Sequence, residues 1–457
     1  MGISGLRRTR RQPAGMTGFS VIALGQFVSM LGTGMTRFAI TIYAWQVTGE
    51  ATALALVGFF AFGPTVLLSP VAGAIVDRAN RRLVMMLSDL AAGLMTLTIL
   101  GLYLSGELQI WHLYVTGALS GAFESFQFPA YSAAVTTMLP KEQYARANGM
   151  ISLVESASGV ISPILAGGLI GTLGIGGILT IDVITFCVAL LALLVVFIPQ
   201  PERTEAGRLG QGSLWSESGY GFRYILQRPS LLGLQLVFFG INFTSTFVWV
   251  LMAPMILARS GDQEVVLGSV QSMLGIGGVV GALVLSAWGG PRRRIHGVLL
   301  GMAFSSLFGA GLLGLGRGVV LWSIAAFADA FCLPFINGSN QAIWQSKVAP
   351  DVQGRVFSVR RLIAQVTAPV AMLLAGPLAD RVFEPAMQPG GTLAGRLGWL
   401  VGTGPGSGMA LIILMTSLLG VGVGLVGYLI PKVRDVEALL PDHDATLAAE
   451  AVPAAAG

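Results

Sequence analysis

Twelve apolar runs, each long enough to cross a bilayer, decide what this chain of 457 residues can become. They fall at about 17–46, 51–76, 83–105, 110–137, 147–171, 176–198, 230–258, 264–289, 297–315, 318–346, 356–380 and 405–430. A spanning helix needs roughly 20 predominantly apolar residues, and the hydrocarbon core offers no partner to an unpaired backbone group. The expectation is an all-α membrane protein. Charged residues are 11% of the chain, against about 25% in a soluble domain. That excludes a soluble enzyme, a disordered chain and a disulfide scaffold. The 62 glycines and 21 prolines would break soluble helices; in a bilayer they serve close packing and kinks.

The first run follows Arg7, Arg8, Arg10 and Arg11. It is too long for a secretory leader and lacks a small-residue cleavage site, so it reads as a retained helix. The basic residues then set the orientation, because they gather in the inner loops. Alternate loops and both tails, with the start of run eleven, hold 22 of the 27 Lys and Arg residues. The opposite side holds Arg259, Arg317, Arg381 and Arg396, and Arg37 lies inside run one. Both termini are therefore expected on the cytoplasmic side of a multi-pass protein. The net charge of +5 is a topology signal, and no nucleic-acid partner is implied.

One hydrophilic stretch, 199–229, separates six runs from six. Within it Leu214, Ser218, Phe222, Ile225 and Leu226 recur at helical spacing beside Glu217, Arg223 and Arg228. That pattern suggests an amphipathic helix on the inner face. The halves also repeat weakly. Pro129, Pro140, Arg146, Pro163 and Gly167-Gly168 answer to Pro334, Pro350, Arg355, Pro369 and Gly376. The expected organisation is a basic tail 1–16, a six-helix bundle 17–198, a linker 199–229, a pseudo-symmetric second bundle 230–430, and a tail 431–457 that is Ala-rich beyond Pro441. Paired six-helix halves around a central site are a transporter architecture.

Little else in the chain carries chemistry. His112, His296 and His443 have no metal-ligand spacing, and no phosphate-cradling glycine loop is present. No metal or cofactor is expected. Cys187 and Cys332 lie in apolar runs and read as small core residues.

Between runs two and three stands Gly73-Ala-Ile-Val-Asp77-Arg78-Ala-Asn80-Arg81-Arg82. It resembles the G-x3-D-R-x-G-R-R signature of the major facilitator superfamily, with Asn80 in place of a glycine. Asn tolerates left-handed backbone next best. The resemblance implies a cytoplasmic latch, made of Gly73, Asp77, Arg78, Arg81 and Arg82, in which Asp77 faces the positive N-terminal end of helix eleven near Gly354-Arg355-Val356. Ser88-Asp89, Arg146-Ala-Asn148 and Gly354-Arg355-Val356-Phe357-Ser358 resemble the drug-exporter branch that includes macrolide and enterobactin exporters. Run five is similar in part to that branch's antiporter motif, reading Gly159-Val-Ile-Ser162-Pro163 and then Gly167-Gly168. There Ser162 replaces a glycine. The resemblance spans roughly 17–430 and implies a bacterial cytoplasmic-membrane protein.

Polar groups inside the runs are costly and therefore informative. Gln26, Thr33 and Arg37 share a face of run one; Glu124, Gln127 and Tyr131 recur along run four; Glu155 lies in run five. The second half offers Asn242, Trp249, Asp329, Asn337, Gln341 and Gln365. Glu124, Asp329 and Glu155 are candidates for proton coupling, with Arg37 long enough to reach Glu124. Gln26, Thr33, Arg37, Gln127, Tyr131, Asn242, Trp249, Asn337, Gln341 and Gln365 are candidates to line a substrate cavity. Asp89 and Asp182 read as capping or pairing groups near the membrane faces. The reading that follows is a monomeric secondary exporter, a proton antiporter of amphipathic small molecules such as drugs or siderophores. A lysophospholipid flippase of the same superfamily is the alternative. A polytopic membrane enzyme or receptor would need a nucleophile–base or metal constellation, and none is legible.

Overall fold

The structure is a computed structural model that describes residues 15–78, 80–140, 143–196, 221–348 and 352–441. Every regular element among them is helical. Five helices open the chain: α1 (Gly15–Thr48), α2 (Ala51–Arg78), α3 (Arg81–Leu104), α4 (Ile110–Met138) and α5 (Tyr144–Val195). Then come Pro229–Ser260, Glu264–Trp288, Arg294–Phe304 continuing through Ser305–Gly311 to Leu312–Leu315, Val319–Lys347, Gln353–Gln365, Thr367–Leu378 and Ser407–Leu429.

Among the described residues, ten helices are long and apolar enough to cross a membrane. One of them, Leu153–Val195, covers 43 residues and is two passes in one. It turns at Gly174, whose φ of 65° and ψ of 178° are all but reserved to glycine. With α4 added, the passes match the twelve apolar runs. Large apolar side chains such as Leu24, Leu67, Leu283 and Leu429 lie bare on the outside. In water that surface would be a liability; against lipid tails it costs nothing.

Internal contacts divide the chain into two compact units. One comprises 1–40 and 60–203, the other 41–59 and 204–457. The first has a core of Phe19, Ile22, Met85 and Leu193, all fully buried. Its helices approach at glycines. A Cβ on Gly121 of α4 would collide with the Ala61 carbonyl of α2, and one on Gly32 of α1 would lie 2.9 Å from the Asp182 Cα. Gly34 of α1 meets Ser162 of α5, whose hydroxyl donates to the Leu31 carbonyl at 3.2 Å. The small residue that α5 lacks at Ser162 is thus supplied by α1.

The second unit is built on Leu231, Leu234, Val298, Ile343 and Trp344. Gly277 and Gly281 of Glu264–Trp288 stand one helical turn apart against the Phe327 and Phe331 backbone, the small-xxx-small packing used between membrane helices. The segment 41–59 belongs here. Asp380 accepts from the Ala51 and Thr52 amides at 3.0 and 2.7 Å, so its carboxylate caps the start of α2. Trp45 donates to Asp262 at 2.6 Å nearby. The segment after the last long helix is also packed: Val433 and Val436 are fully buried, and buried Lys347 donates to the Glu437 and Leu440 carbonyls.

Several expectations are adjusted. Of the amphipathic linker, residues 221–226 are helical with Ile225 buried, while Leu214, Glu217 and Ser218 lie outside the described residues. Cys332 is buried, but Cys187 is exposed rather than part of a core. Asn80 does not take left-handed backbone. Its φ and ψ are −70° and 111°, and its side chain accepts from the Leu83 amide at 3.2 Å as the N-cap of α3. An amide oxygen does there what glycine cannot.

Candidate functional site

The first unit concentrates polar side chains on the facing sides of α1, α3, α4 and α5. Arg37 of α1 and Glu124 of α4 meet as the spacing predicts. Arg37 Nη2 donates to both Glu124 oxygens at 2.9 Å. Neither side chain is walled in, 66% and 53% of their surfaces being uncovered. An ion pair inside a spanning segment that still has open faces can admit a third party, either a proton or a charged group on a ligand.

Gln26 and Gln127 form a different group. Gln26 Nε2 donates to Asp89 Oδ2 at 2.9 Å, Gln127 Nε2 donates to Asp89 Oδ1 at 2.5 Å, and Gln127 also donates to Gln26 Oε1 at 3.0 Å. Asp89 is 5% exposed. Its place near the start of α3 suggests a cap or a pairing group; among the described residues it has no ion-pair partner and is the centre of a three-helix cluster. The glutamines therefore face helix neighbours. Thr33 behaves likewise, donating to Asp182 at 3.3 Å while Thr96 donates to the other carboxylate oxygen at 2.9 Å. Asp182 is 3% exposed, so it too is interior. Asp182 is covered where α1 comes close to α5 at Gly32, and Asp89 is covered by the two glutamines that converge on it.

Tyr131 is buried and stacks on Phe19 at 5.9 Å; its hydroxyl has no hydrogen-bond partner among the described residues. Glu155 is exposed on α5. Of the signature loop, Gly73, Asp77, Arg78 and Arg81 are helical, but their side chains lie outside the described residues, as do those of Gly354 and Arg355. Arg82 is placed. It donates to the Leu193 and Leu194 carbonyls at 2.9 and 2.6 Å, capping the end of α5 with a cation where the helix is negative.

In the second unit Asp329 accepts from Ser305 at 2.5 Å, at the point where Arg294–Phe304 widens into the π-helical turn Ser305–Gly311. Gly309 gives the carboxylate its room, since a Cβ there would lie 2.6 Å from that of Asp329. Such turns are often kept at functional positions. Gln341 accepts from Arg360 at 2.9 Å, and the Arg360 guanidinium stands 5.2 Å from the Trp344 ring. Asn242 donates to the Ala364 carbonyl at 3.3 Å. Trp249 and Asn337 are exposed, and Gln365 is half-buried. Arg360 was not among the expected cavity residues. It counts as one more inner-side cation until the fold lays it against Gln341 and Trp344.

The geometry can be set against known proteins. The family model described as Major Facilitator Superfamily matches residues 22–372. The chain is similar to macrolide efflux protein A of Streptococcus pyogenes, with 27% identity over 371 residues, 80% of this chain and 90% of the relative. It is similar to the multidrug efflux pump Tap of Mycolicibacterium fortuitum, with 26% identity over 392 residues, 82% and 91% of the two chains. Among solved structures it resembles a bacterial homologue of the human lysosomal transporter Spinster, at a TM-score of 0.64 and 16% identity, covering 90% of this chain and 96% of that one.

Proposed function

Because this chain belongs to the major facilitator superfamily, we propose that it is a proton-driven exporter of amphipathic small molecules, working by alternating access from the bacterial cytoplasmic membrane with both termini inside. A transporter needs no nucleophile and no cofactor. It needs a site whose affinity changes as the protein turns from one side to the other.

The observation that supports the reading is the Arg37–Glu124 pair, in which one guanidinium nitrogen reaches both carboxylate oxygens inside spanning helices with open faces. A guanidinium has only donors, so a proton on Glu124 removes the charge attraction and leaves Arg37 one acceptor oxygen in place of two. A proton arriving on Glu124 therefore weakens the pair and loosens Arg37. A substrate that displaces the carboxylate frees Glu124. Proton and substrate thus compete for one contact, which is the requirement of an antiporter. Asp329 and Glu155 are further acids on the same reading, and exposed Phe123, next to Glu124 in the chain, offers apolar surface to bulky molecules. The printed names of the efflux relatives point to macrolides as the first substrates to try.

The test is transport of erythromycin into inside-out proteoliposomes that carry the purified full-length chain. The expected result is accumulation that requires an acidic interior and collapses with a protonophore. Accumulation indifferent to the pH gradient would remove the proton from the account.

A further inference from the structure

Asp89 is an enclosed polar centre of the first unit, and the mechanism above does not use it. Its carboxylate is 5% exposed and accepts one hydrogen bond each from Gln26 of α1 and Gln127 of α4, and the two glutamines share a third. Among the described residues, ion pairs form between Arg37 and Glu124 and between Arg434 and Asp435, and neither includes Asp89. A buried carboxylate without a cation is expensive to keep charged inside a bilayer. A purely structural cluster has no need of an acid there, since asparagine fills the same space with no charge to bury.

The partners matter as much as the acid. A glutamine amide carries donors and an acceptor at equal reach, and a half-turn exchanges them. As drawn, both amides point N–H groups at the carboxylate. After a proton binds, the new O–H needs an acceptor, and a turned amide supplies a carbonyl. Asp89 can therefore gain or lose a proton without losing its neighbours. Glu124 has no such option at Arg37, which still donates to the carbonyl oxygen of the acid but offers its new O–H no acceptor. The two sites are adjacent: Gln127 follows Glu124 by three residues on α4, a rise of about 4.5 Å. We propose that Asp89, with Gln26 and Gln127 as reversible hydrogen-bond partners, is a proton-binding site beside the Arg37–Glu124 pair. The other titratable or charged groups on the surrounding helices are Arg37 and Tyr43 on α1, Arg81, Arg82 and Tyr103 on α3, His112, Tyr114, Glu124 and Tyr131 on α4, and Tyr144, Arg146, Glu155, Asp182 and Cys187 on α5. Arg82 is engaged with the end of α5, and Asp182 has its own threonine pair. As a step in transport the proposal rests on proton-driven export; as a proton site it does not.

The experiment reads protonation directly. The full-length protein in lipid is titrated while the infrared stretch of protonated carboxyl groups is followed. The expected result is a band, appearing as pH falls, that is lost in Asp89→Asn, shifted in Gln127→Leu, and kept in Asp182→Asn and Asp329→Asn. A titrating band that survives Asp89→Asn unchanged would overturn the assignment, as would the absence of any such band in the native chain. Circular dichroism of each variant confirms that the helices remain. Erythromycin transport is measured on the same samples. If the native chain shows no gradient-driven transport, the exporter reading fails, and the infrared titration still decides whether Asp89 binds a proton. If the native chain pumps and Asp89→Asn pumps equally well with the band gone, Asp89 binds a proton off the transport path, and its role beside the pair is refuted.

Discussion

Arg37 holds both carboxylate oxygens of Glu124 from one guanidinium nitrogen, at 2.9 Å each, across 87 positions of sequence. The contact joins α1 to α4 inside the first unit. Both side chains keep open faces, so the pair is not part of the packed core. Its consequence is functional. Removing it should alter transport far more than melting temperature.

The packing glycines make the first prediction. Gly281 lies on the Phe331 backbone, with no space for a side chain. Gly281→Leu should separate Glu264–Trp288 from Val319–Lys347 and cost roughly 1–3 kcal/mol, the usual range for overpacking. The measurement is the apparent melting temperature in detergent. Gly278, whose Cβ position meets nothing within 4 Å, is the control. Equal behaviour of Gly278→Leu and Gly281→Leu would show that the close crossing is not needed.

A second prediction concerns the start of α2. The Asp380 carboxylate accepts from two backbone amides there and from the Thr52 hydroxyl. Asp380→Ala should cost about 0.5–2 kcal/mol, as loss of a cap does, read as a drop in melting temperature. Asp380→Asn should recover part of it, since an amide oxygen still caps. An alanine variant as stable as the native chain rules out the cap.

Orientation is open to a direct check. Single cysteines at positions 80 and 293, placed in a chain cleared of Cys187 and Cys332, should react with an impermeant maleimide only from the cytoplasmic side. A cysteine at position 390 should react only from outside. Reaction of 80 and 390 from the same side contradicts the topology built on the basic residues.

How much of this was legible beforehand depends on the kind of signal. Apolar length is a property of single segments, so the helices could be drawn from composition and spacing. The Arg37–Glu124 contact was also within reach, because a lone cation and a lone acid inside spanning segments have few alternatives. The placement of Asp89 was not. Counting residues from the start of α3 puts it near a membrane face, and nothing local says that Gln26 and Gln127 converge on it from helices 63 and 38 positions away. The same holds for Arg360, which reads as one more inner-side cation until it is set against Trp344 and Gln341. Asn80 shows the reverse failure. Its exchange for glycine suggested a left-handed turn, whereas its side chain serves as a cap. Local sequence carries periodicity and caps; tertiary convergence it carries only as a list of candidates.

The central claim is that Glu124 exchanges a proton against substrate, and one variant tests it most directly. Glu124→Gln keeps the size of the side chain and removes its charge. In proteoliposomes with an imposed pH gradient it should bind erythromycin within a few-fold of the native affinity yet fail to accumulate it, while downhill exchange continues. Accumulation at the native rate in Glu124→Gln would contradict the account and pass the coupling role to Asp329.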